Sequence, residues 1–322
     1  MKAIEVVDSR LEWKEVPDPV PPKADEILIA IHATAVNRAD LSQRQGGYPP
    51  PPGASPILGL ECAGEVLEVG DQVSQFRRGD AVCALLAGGG YAEQVVVPAG
   101  QVLPIPQRFS FEQAAAIPEV YATAFLNIFV EAVAKPGERV LIHAGASGVG
   151  TSAIHMCQAF GNPCWVTASG DDKIQYCQSI GADGGTDRQT GDFVAEVHEW
   201  TGGQGVDVIL DPVGGAYLER NLKTLNTDGR LVVIGLMGGA NADLPLGRMM
   251  VKRQRIIGST LRARSIAAKT QVMQALHERV WPLFADGLEP DIHEIIDVSE
   301  ADRAHQVIAS NQTIGKVVLK VQ

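Results

Sequence analysis

A strand-like run at residues 139–143 leads directly into a glycine-rich turn. The turn consists of Gly145, Ala146, Ser147, Gly148, Val149 and Gly150, and a helix is predicted to follow over 151–160. Glycines let a backbone approach phosphate groups, and a helix N-terminus directs unpaired N–H groups and its positive dipole end towards them. A second strand at 163–168 completes a βαβ unit, which favours a dinucleotide pyrophosphate site over an ordinary strand-to-helix turn. Ser147 stands where a middle glycine is expected.

Two patterns of elements divide the chain near residue 120. Before it, short β-rich segments separated by Gly and Pro turns predict an irregular β-barrel. These segments are 26–33, 62–69, 81–85 and 91–98. After it, helices alternate with apolar strands, which is typical of a parallel, doubly wound sheet. Those strands are 139–143, 164–168, 206–211, 230–235 and 255–260.

The last part of the chain predicts a helix over 269–285, a strand over 293–298, a second helix and a final strand over 316–321. Ser299 and Asp302 have the spacing of a capping box at the start of the second helix. Because the final strand follows a complete parallel-sheet unit, we expect it to pair with a strand of the first domain.

The composition indicates a globular enzyme, since 322 residues with 45% hydrophobic content suffice for two domains. The net charge of -11 is spread without a basic stripe, which disfavours a nucleic-acid partner. The N-terminus has no apolar signal-like segment, and no run approaches the length that a bilayer requires. We therefore expect a cytoplasmic protein without membrane association. Five cysteines without Cys-x-x-Cys spacing predict reduced, buried thiols.

Three further motifs accompany the glycine turn, at 36–48, 59–66 and 229–239. They are Val-Asn-Arg-Ala-Asp-Leu-Ser-Gln-Arg-Gln-Gly-Gly-Tyr, Gly-Leu-Glu-Cys-Ala-Gly-Glu-Val and Gly-Arg-Leu-Val-Val-Ile-Gly-Leu-Met-Gly-Gly. Together they resemble the medium-chain dehydrogenase/reductase superfamily, specifically its zinc-free quinone oxidoreductase branch. The resemblance implies an α/β protein with a GroES-like β-barrel catalytic domain over 1–120 and 266–322 and a Rossmann NADP-binding domain over 121–265. It also implies a homodimer, for which an edge strand at 255–260 could pair with its copy.

The same resemblance bears on metal binding. Zinc-dependent alcohol dehydrogenases of the superfamily have a cysteine where this chain has Asn37 and a histidine where it has Leu60, and neither residue here ligates zinc. Since catalytic zinc needs three protein ligands, Glu61 alone forms no site. The four-cysteine structural lobe of those enzymes is missing, and the seven histidines lack ligand spacing. We therefore expect an enzyme without a metal.

Quinone reduction needs no Lewis acid, because the transferred charge spreads over an aromatic hydroquinone anion. The protein has only to align the acceptor carbon with nicotinamide C4 and to donate a hydrogen bond to the acceptor oxygen. By resemblance, Asn37 and Tyr48 line the substrate cleft, and we expect them to donate this hydrogen bond to the acceptor oxygen. The structural alternatives are a turn-capping Asn37 and a packing role for Tyr48. Arg38 and Asp40 are expected to pair beneath the site, and Glu61 to be buried and hydrogen-bonded.

The residues at the end of the second Rossmann strand bear on the choice of cofactor. NAD enzymes place an acid there, and none stands at this strand end. In the NADPH-dependent branch a serine and a lysine bind the 2′-phosphate, which Ser169 and Lys173 match, while Arg188 replaces the usual tyrosine with a charged fork. Asp171 and Asp172 would repel the phosphate. We expect NADPH rather than NADH.

Ligands of open α/β sheets bind outside the carboxyl ends of the strands, which places nicotinamide contacts after 206–211 and 230–235. The residues at those places are Val213, Leu236, Met237 and Gly238. By resemblance, further cofactor contacts come from Thr123, Leu261, Arg262 and Thr313, the last in place of an asparagine.

The sequence thus predicts a metal-free, NADPH-dependent quinone oxidoreductase. One alternative is an NADPH-dependent reductase of α,β-unsaturated carbonyls, or enones, which would use the same residues. A second alternative is a structural or sensing protein that binds NADPH with little turnover.

Overall fold

A computed structural model describes all 322 residues. The strands, numbered β1 to β15 in chain order, are Lys2–Val7, Arg10–Glu15, Glu26–Val36, Glu61–Val69, Ala81–Leu85, Gln94–Pro98, Val102–Pro104, Val140–His143, Cys164–Ala168, Gly184–Asp187, Val206–Asp211, Leu225–Val233, Arg255–Gly258, Ile292–Asp297 and Lys316–Lys320. The α-helices, numbered α1 to α11, are Arg38–Arg44, Phe111–Ala115, Pro118–Phe125, Gly148–Ala159, Asp171–Ser179, Phe193–Trp200, Leu218–Thr224, Leu246–Val251, Ile266–Arg279, Trp281–Ala285 and Ala301–Ala309.

The residues form two compact units by their internal contacts. The first unit combines Met1–Ala122 with Leu261–Gln322, and the second is Thr123–Thr260. The first is therefore built from two separate parts of the chain, and the second from one continuous part.

The first unit contains a seven-stranded sheet in the order β14-β15-β3-β4-β5-β7, with β6 also paired to β3, and a separate β1-β2 hairpin. Alternate residues of β3, including Ile27, Ile29 and Ile31, are fully buried, as the two-residue period of a strand dictates. Strand β15 pairs antiparallel with β3, with Val317 opposite Val36. This confirms the expectation that the final strand pairs within the first domain.

The second unit contains a six-stranded parallel sheet in the order β10-β9-β8-β11-β12-β13. Counted along the chain within the unit, this is the strand order of a Rossmann fold, and the doubly wound prediction is confirmed. All four residues of β8 are buried, as a central parallel strand covered on both faces requires. Strand β13 lies at the edge of the sheet, as expected.

Two local predictions are wrong. The helix predicted over 269–285 is two helices, α9 and α10, because Pro282 has no N–H to continue the first one and its ring clashes with the preceding turn. The predicted capping box at Ser299 and Asp302 does not form, since α11 begins only at Ala301. The Ser299 backbone N–H donates instead to Asp297, at 2.9 Å.

We expected no segment long and apolar enough to cross a bilayer, and the helical stretch Phe111–Glu131 corrects that expectation. With 21 residues and a mean hydropathy of 1.2, it is long and apolar enough to cross a bilayer. However, 78% of its most apolar window is buried inside the protein. Such burial is typical of a core helix, so the stretch is weak evidence for a membrane span.

Candidate active site

The glycine turn of the second unit requires glycine at two of its positions. A Cβ on Gly150 would lie 2.4 Å from the carbonyl oxygens of Ala144 and Gly145, and one on Gly145 would lie 2.5 Å from the Val166 side chain. No substitution of either is possible without moving backbone or a buried strand. The chain turns sharply just before them, where Ala144 adopts a left-handed φ of 55°.

Ser147 is the N-cap of helix α4. Its backbone is extended, with φ −74° and ψ 164°, so the position does not need a glycine. Its hydroxyl accepts from the Gly150 N–H at 3.1 Å, while the N–H groups of Gly148 and Val149 have no partner in the protein. Two free donors at a positive helix end form a cradle that suits a pyrophosphate.

A buried polar chain links the ends of strands β9, β8 and β11. His143 Nδ1 lies 3.0 Å from the Thr167 hydroxyl, and its Nε2 lies 2.7 Å from Asn221 Oδ1. Asn221 donates in turn to Asp211 Oδ2 at 3.0 Å. Burial lowers the pKa of His143 to about 4, so the ring is neutral near pH 7. The sequence analysis did not predict this row of hydrogen-bonded side chains, although a histidine at the end of an apolar strand was a signal for it.

The polar chain ends on the turn that was predicted to contact nicotinamide. Asp211 Oδ1 accepts from the N–H groups of Val213 at 2.6 Å and Gly214 at 3.1 Å. The second predicted segment joins the same turn, because the Gly238 N–H donates to Val213 O at 2.7 Å. The structure thus brings together Val213 and Gly238, while the neighbouring Leu236 and Met237 are more than half exposed.

Of the residues predicted to bind the 2′-phosphate, Ser169 directly follows β9 and Arg188 directly follows β10, while Lys173 lies in the first turn of α5. Burial lowers the pKa of Lys173, and the positive charge of Arg188 lowers it further, so the two charges repel each other. A carboxylate shares this region, because Asp187 accepts from the Gly170 N–H at 3.2 Å. Hydrogen bonds from Gln189 and Gly170 lower the pKa of Asp187, which keeps it ionised. The sequence analysis considered Asp171 and Asp172 as acids near the phosphate but not Asp187.

The first unit holds Asn37 at the end of β3, in a cluster with Glu61 and Lys316. Asn37 Nδ2 donates to Glu61 Oε1 at 2.9 Å, and the Lys316 ammonium donates to Asn37 Oδ1 at 2.7 Å. Lys316 also forms an ion pair with Glu61 Oε1 at 2.7 Å. The second oxygen of Glu61 accepts from the Glu119 N–H at 2.9 Å. Glu61 is buried and hydrogen-bonded as expected, and Lys316 is a residue that sequence reasoning missed.

Asp40 lies beneath this cluster but does not pair with Arg38. Its carboxylate accepts from the backbone N–H groups of Asn37 at 2.7 Å and Gly59 at 3.1 Å. Burial raises its pKa to about 6. Arg38 is exposed and donates to the Ile308 carbonyl on α11 at 3.1 Å. The predicted Arg38–Asp40 pair is therefore wrong, because one side chain points into the core and the other along the surface.

Tyr48 and Arg262 are neighbours. The Arg262 guanidinium donates to the Ala87 carbonyl at 2.7 Å and to the Tyr48 carbonyl at 3.2 Å, and its central carbon lies 5.2 Å from the Tyr48 ring centre. Burial raises the pKa of Tyr48, and the charge of Arg262 opposes that shift. The tyrosine is half-buried, and its hydroxyl has no hydrogen-bond partner in the protein, so it is free to donate to a ligand.

The remaining predicted residues are placed as follows. Thr123 lies in α3, and its carbonyl accepts from Asn127 at 2.7 Å. Leu261 is buried, and Thr313 is half-buried just before β15. No group of three or more His, Cys, Asp or Glu side chains lies close enough together to hold a metal ion.

Comparison with known proteins gives consistent matches. Residues 23–107 match the alcohol dehydrogenase GroES-like domain, and residues 148–278 match the family described as zinc-binding dehydrogenase. A quinone oxidoreductase of Rattus norvegicus is 30% identical over 303 residues, covering 92% of this chain and 90% of that protein. The solved structure of Escherichia coli quinone oxidoreductase complexed with NADPH has a TM-score of 0.88 at 29% identity and covers 100% of both chains. CurK enoyl reductase has a TM-score of 0.86 at 28% identity, covering 100% of this chain and 99% of that one. The expected GroES-like domain and Rossmann-type sheet are confirmed.

Proposed function

The chain belongs to the medium-chain dehydrogenase/reductase family, and we propose that its own reaction is the reduction of a quinone by NADPH without a metal. The observation that carries this proposal is the cluster of Asn37, Glu61 and Lys316. Where the zinc enzymes of the family have ligands, this chain has an amide, and its one remaining carboxylate is neutralised by an ammonium group at 2.7 Å. A dication would have to displace that lysine, at a large electrostatic cost.

The cofactor proposal rests on the glycine turn and on the two neighbouring cations. The free N–H groups of Gly148 and Val149 suit the pyrophosphate, and Lys173 with Arg188 suits a 2′-phosphate. The full proposed set is Thr123, Gly145, Ala146, Ser147, Gly148, Val149, Gly150, Ser169, Lys173, Arg188, Val213, Leu236, Met237, Gly238, Leu261, Arg262 and Thr313. NADPH, when bound, supplies the hydride.

Tyr48 and Asn37 are the proposed substrate contacts. The Tyr48 hydroxyl is a free donor for the acceptor oxygen, and its proton can neutralise the negative charge that arrives with the hydride. Asn37 is more constrained, because its amide already has partners. Its longest contact, from Nδ2 to the Ala35 carbonyl at 3.3 Å, is the one that an acceptor oxygen can most easily replace.

We also propose the domain roles, the dimer and the compartment. Residues 1–120 and 266–322 are the catalytic domain and residues 121–265 the NADP-binding domain. The dimer is supported by the edge position of β13 and by exposed apolar side chains on the adjoining α8, namely Leu246, Met250 and Val251. A cytoplasmic location stays a prediction.

A screen of NADPH oxidation against quinones, enones and aldehydes tests the function. We expect turnover with quinones, and the enone arm tests the second candidate, which the similarity to CurK enoyl reductase favours. Turnover with enones but not with quinones would identify enone reduction as the function. Tight NADPH binding without turnover on any acceptor would leave the binding protein as the function.

A further inference from the structure

We propose that Lys316 is a positioning residue for the reaction and that it acts by fixing the side-chain amide of Asn37. The inference rests on the proposed function in one respect, the assignment of Asn37 to the acceptor oxygen. Lys316 is 4% exposed, and its ammonium donates to Val36 O at 3.0 Å and Asn37 Oδ1 at 2.7 Å while contacting Glu61 Oε1 at 2.7 Å. An ammonium has three N–H donors, so all are used inside the protein. Lys316 therefore acts through Asn37 and not on a ligand.

The orientation of the Asn37 amide follows from the chemistry of its two partners. An ammonium can only donate, and an ionised carboxylate can only accept. Oδ1 must therefore face Lys316 and Nδ2 must face Glu61, which is the arrangement observed. If the amide turned over, Nδ2 would meet the lysine and Oδ1 the glutamate, with two repulsive contacts. The lysine and the glutamate thus hold Nδ2, a donor, in one defined direction.

Lys316 also balances the charge of Glu61, and this second role must be separated from the first. Glu61 is completely buried, so its charge is poorly screened. Removing only the lysine would leave an unpaired buried carboxylate, which destabilises the fold and repels negative charge on the acceptor. Removing both charged groups together keeps the site neutral but removes the two partners that orient the amide most strongly, which leaves only the long contact of Nδ2 with the Ala35 carbonyl. Only the double substitution isolates the orienting role.

The test compares wild type, N37A, E61Q/K316M and the triple variant N37A/E61Q/K316M. The control is K320M, because Lys320 lies at the exposed end of β15, the strand that begins with Lys316. In E61Q/K316M the Glu119 N–H holds the oxygen of the introduced amide, so the amide nitrogen faces Asn37 and favours its Oδ1. The Ala35 carbonyl still favours Nδ2, so the Asn37 amide loses its single orientation. We expect kcat with a quinone to fall on the order of tenfold, the effect of one misdirected hydrogen bond. The Kd for NADPH and the thermal midpoint should stay close to wild type. The triple variant should be no slower than N37A, because both changes remove the same contact.

Two results would overturn the proposal. Wild-type kcat in E61Q/K316M would mean that Lys316 only balances Glu61, and multiplied losses in the triple variant would mean that it acts independently of Asn37. A readout without substrate is the pair of Nδ2 proton resonances of Asn37, assigned with N37A. They should be sharp in wild type and shifted or broadened in E61Q/K316M. An unchanged spectrum refutes the positioning role even if the quinone activity fails, and absent quinone turnover in wild type refutes only the proposed function.

Discussion

Replacing Lys173 with alanine should weaken NADPH binding far more than NADH binding, since the two cofactors differ only by the 2′-phosphate. A charge-assisted hydrogen bond contributes roughly 1.5 to 3 kcal/mol. Lys173 is half-buried, and water still reaches part of it, so we take the lower part of that range. The expected loss for NADPH is about ten- to thirtyfold.

Arg188→Ala should give a smaller effect of the same kind. Arg188 is exposed, so solvent and salt screen its charge, and its contribution is about 0.5 to 1 kcal/mol, or roughly two- to fivefold in Kd. Raising the ionic strength should shrink the Arg188 effect more than the Lys173 effect. The double variant should lose less than the product of the two, because either cation can partly serve the same phosphate.

Fluorescence titration of both cofactors against each variant measures these losses. Lys223→Ala is the matched control, since this lysine is in the same unit but pairs with Glu219 at 2.7 Å on the surface. It should leave both Kd values unchanged. Equal losses of NADH and NADPH in the Lys173 variant would refute the reasoning, because the residue would then hold the fold or the adenine. Cofactor identity would be reopened.

Four further outcomes are expected. Purified protein should contain well below one zinc per chain and keep its NADPH turnover in a chelator, and elemental analysis near one zinc per chain would contradict this. Tyr48→Phe should lower kcat with quinones by about tenfold without changing NADPH affinity, since its hydroxyl has no partner in the protein, whereas full activity would leave only a packing role. Burial lowers the pKa of His143 to about 4, so wild type takes up a proton on unfolding and loses stability as the pH falls from about 6.5 to about 4. His143→Gln does not have this loss, so its stability should rise relative to wild type over the same range. A pH-independent difference in unfolding free energy between the two proteins would count against this. Met250→Asp should convert a dimer into a monomer in sedimentation, and a monomeric wild type at micromolar concentration would remove the dimer.

Strands bounded by turn chemistry could be located from the sequence alone. Cys164–Ala168 was predicted to within one residue, because Pro163 precedes it and Gly170 ends the extended run soon after it. Helix ends were less predictable, since the spacing at Ser299 fits a cap but the backbone forms a short 3₁₀ turn there before α11 begins. A local pattern does not reveal which of two competing turns tertiary packing selects.

The candidate site was predictable where one segment carries it and not where distant segments meet. The glycine turn and Asn37 could be proposed as site residues because each belongs to a continuous motif. Lys316 was missed because only the pairing of β15 with β3 brings it to Asn37 and Glu61. Its one signal was a lysine directly before the apolar run 317–319 of the final strand, since a lysine is rarely buried. The contact of the Asp187 carboxylate with Gly170 could likewise not be predicted, since it depends on β10 lying beside β9.

The two-part construction of the first unit has a consequence for biosynthesis. During translation the second unit is a continuous segment and can fold as soon as it has left the ribosome, whereas the sheet of the first unit must wait for β14 and β15. Until then residues 33–36 of β3 have an unpaired edge and Glu61 has no counter-ion, which are features that favour aggregation of a nascent chain. The arrival of β15 pairs that edge and brings Lys316 to Asn37 and Glu61 in one step, which couples the assembly of this cluster to the pairing of the last strand.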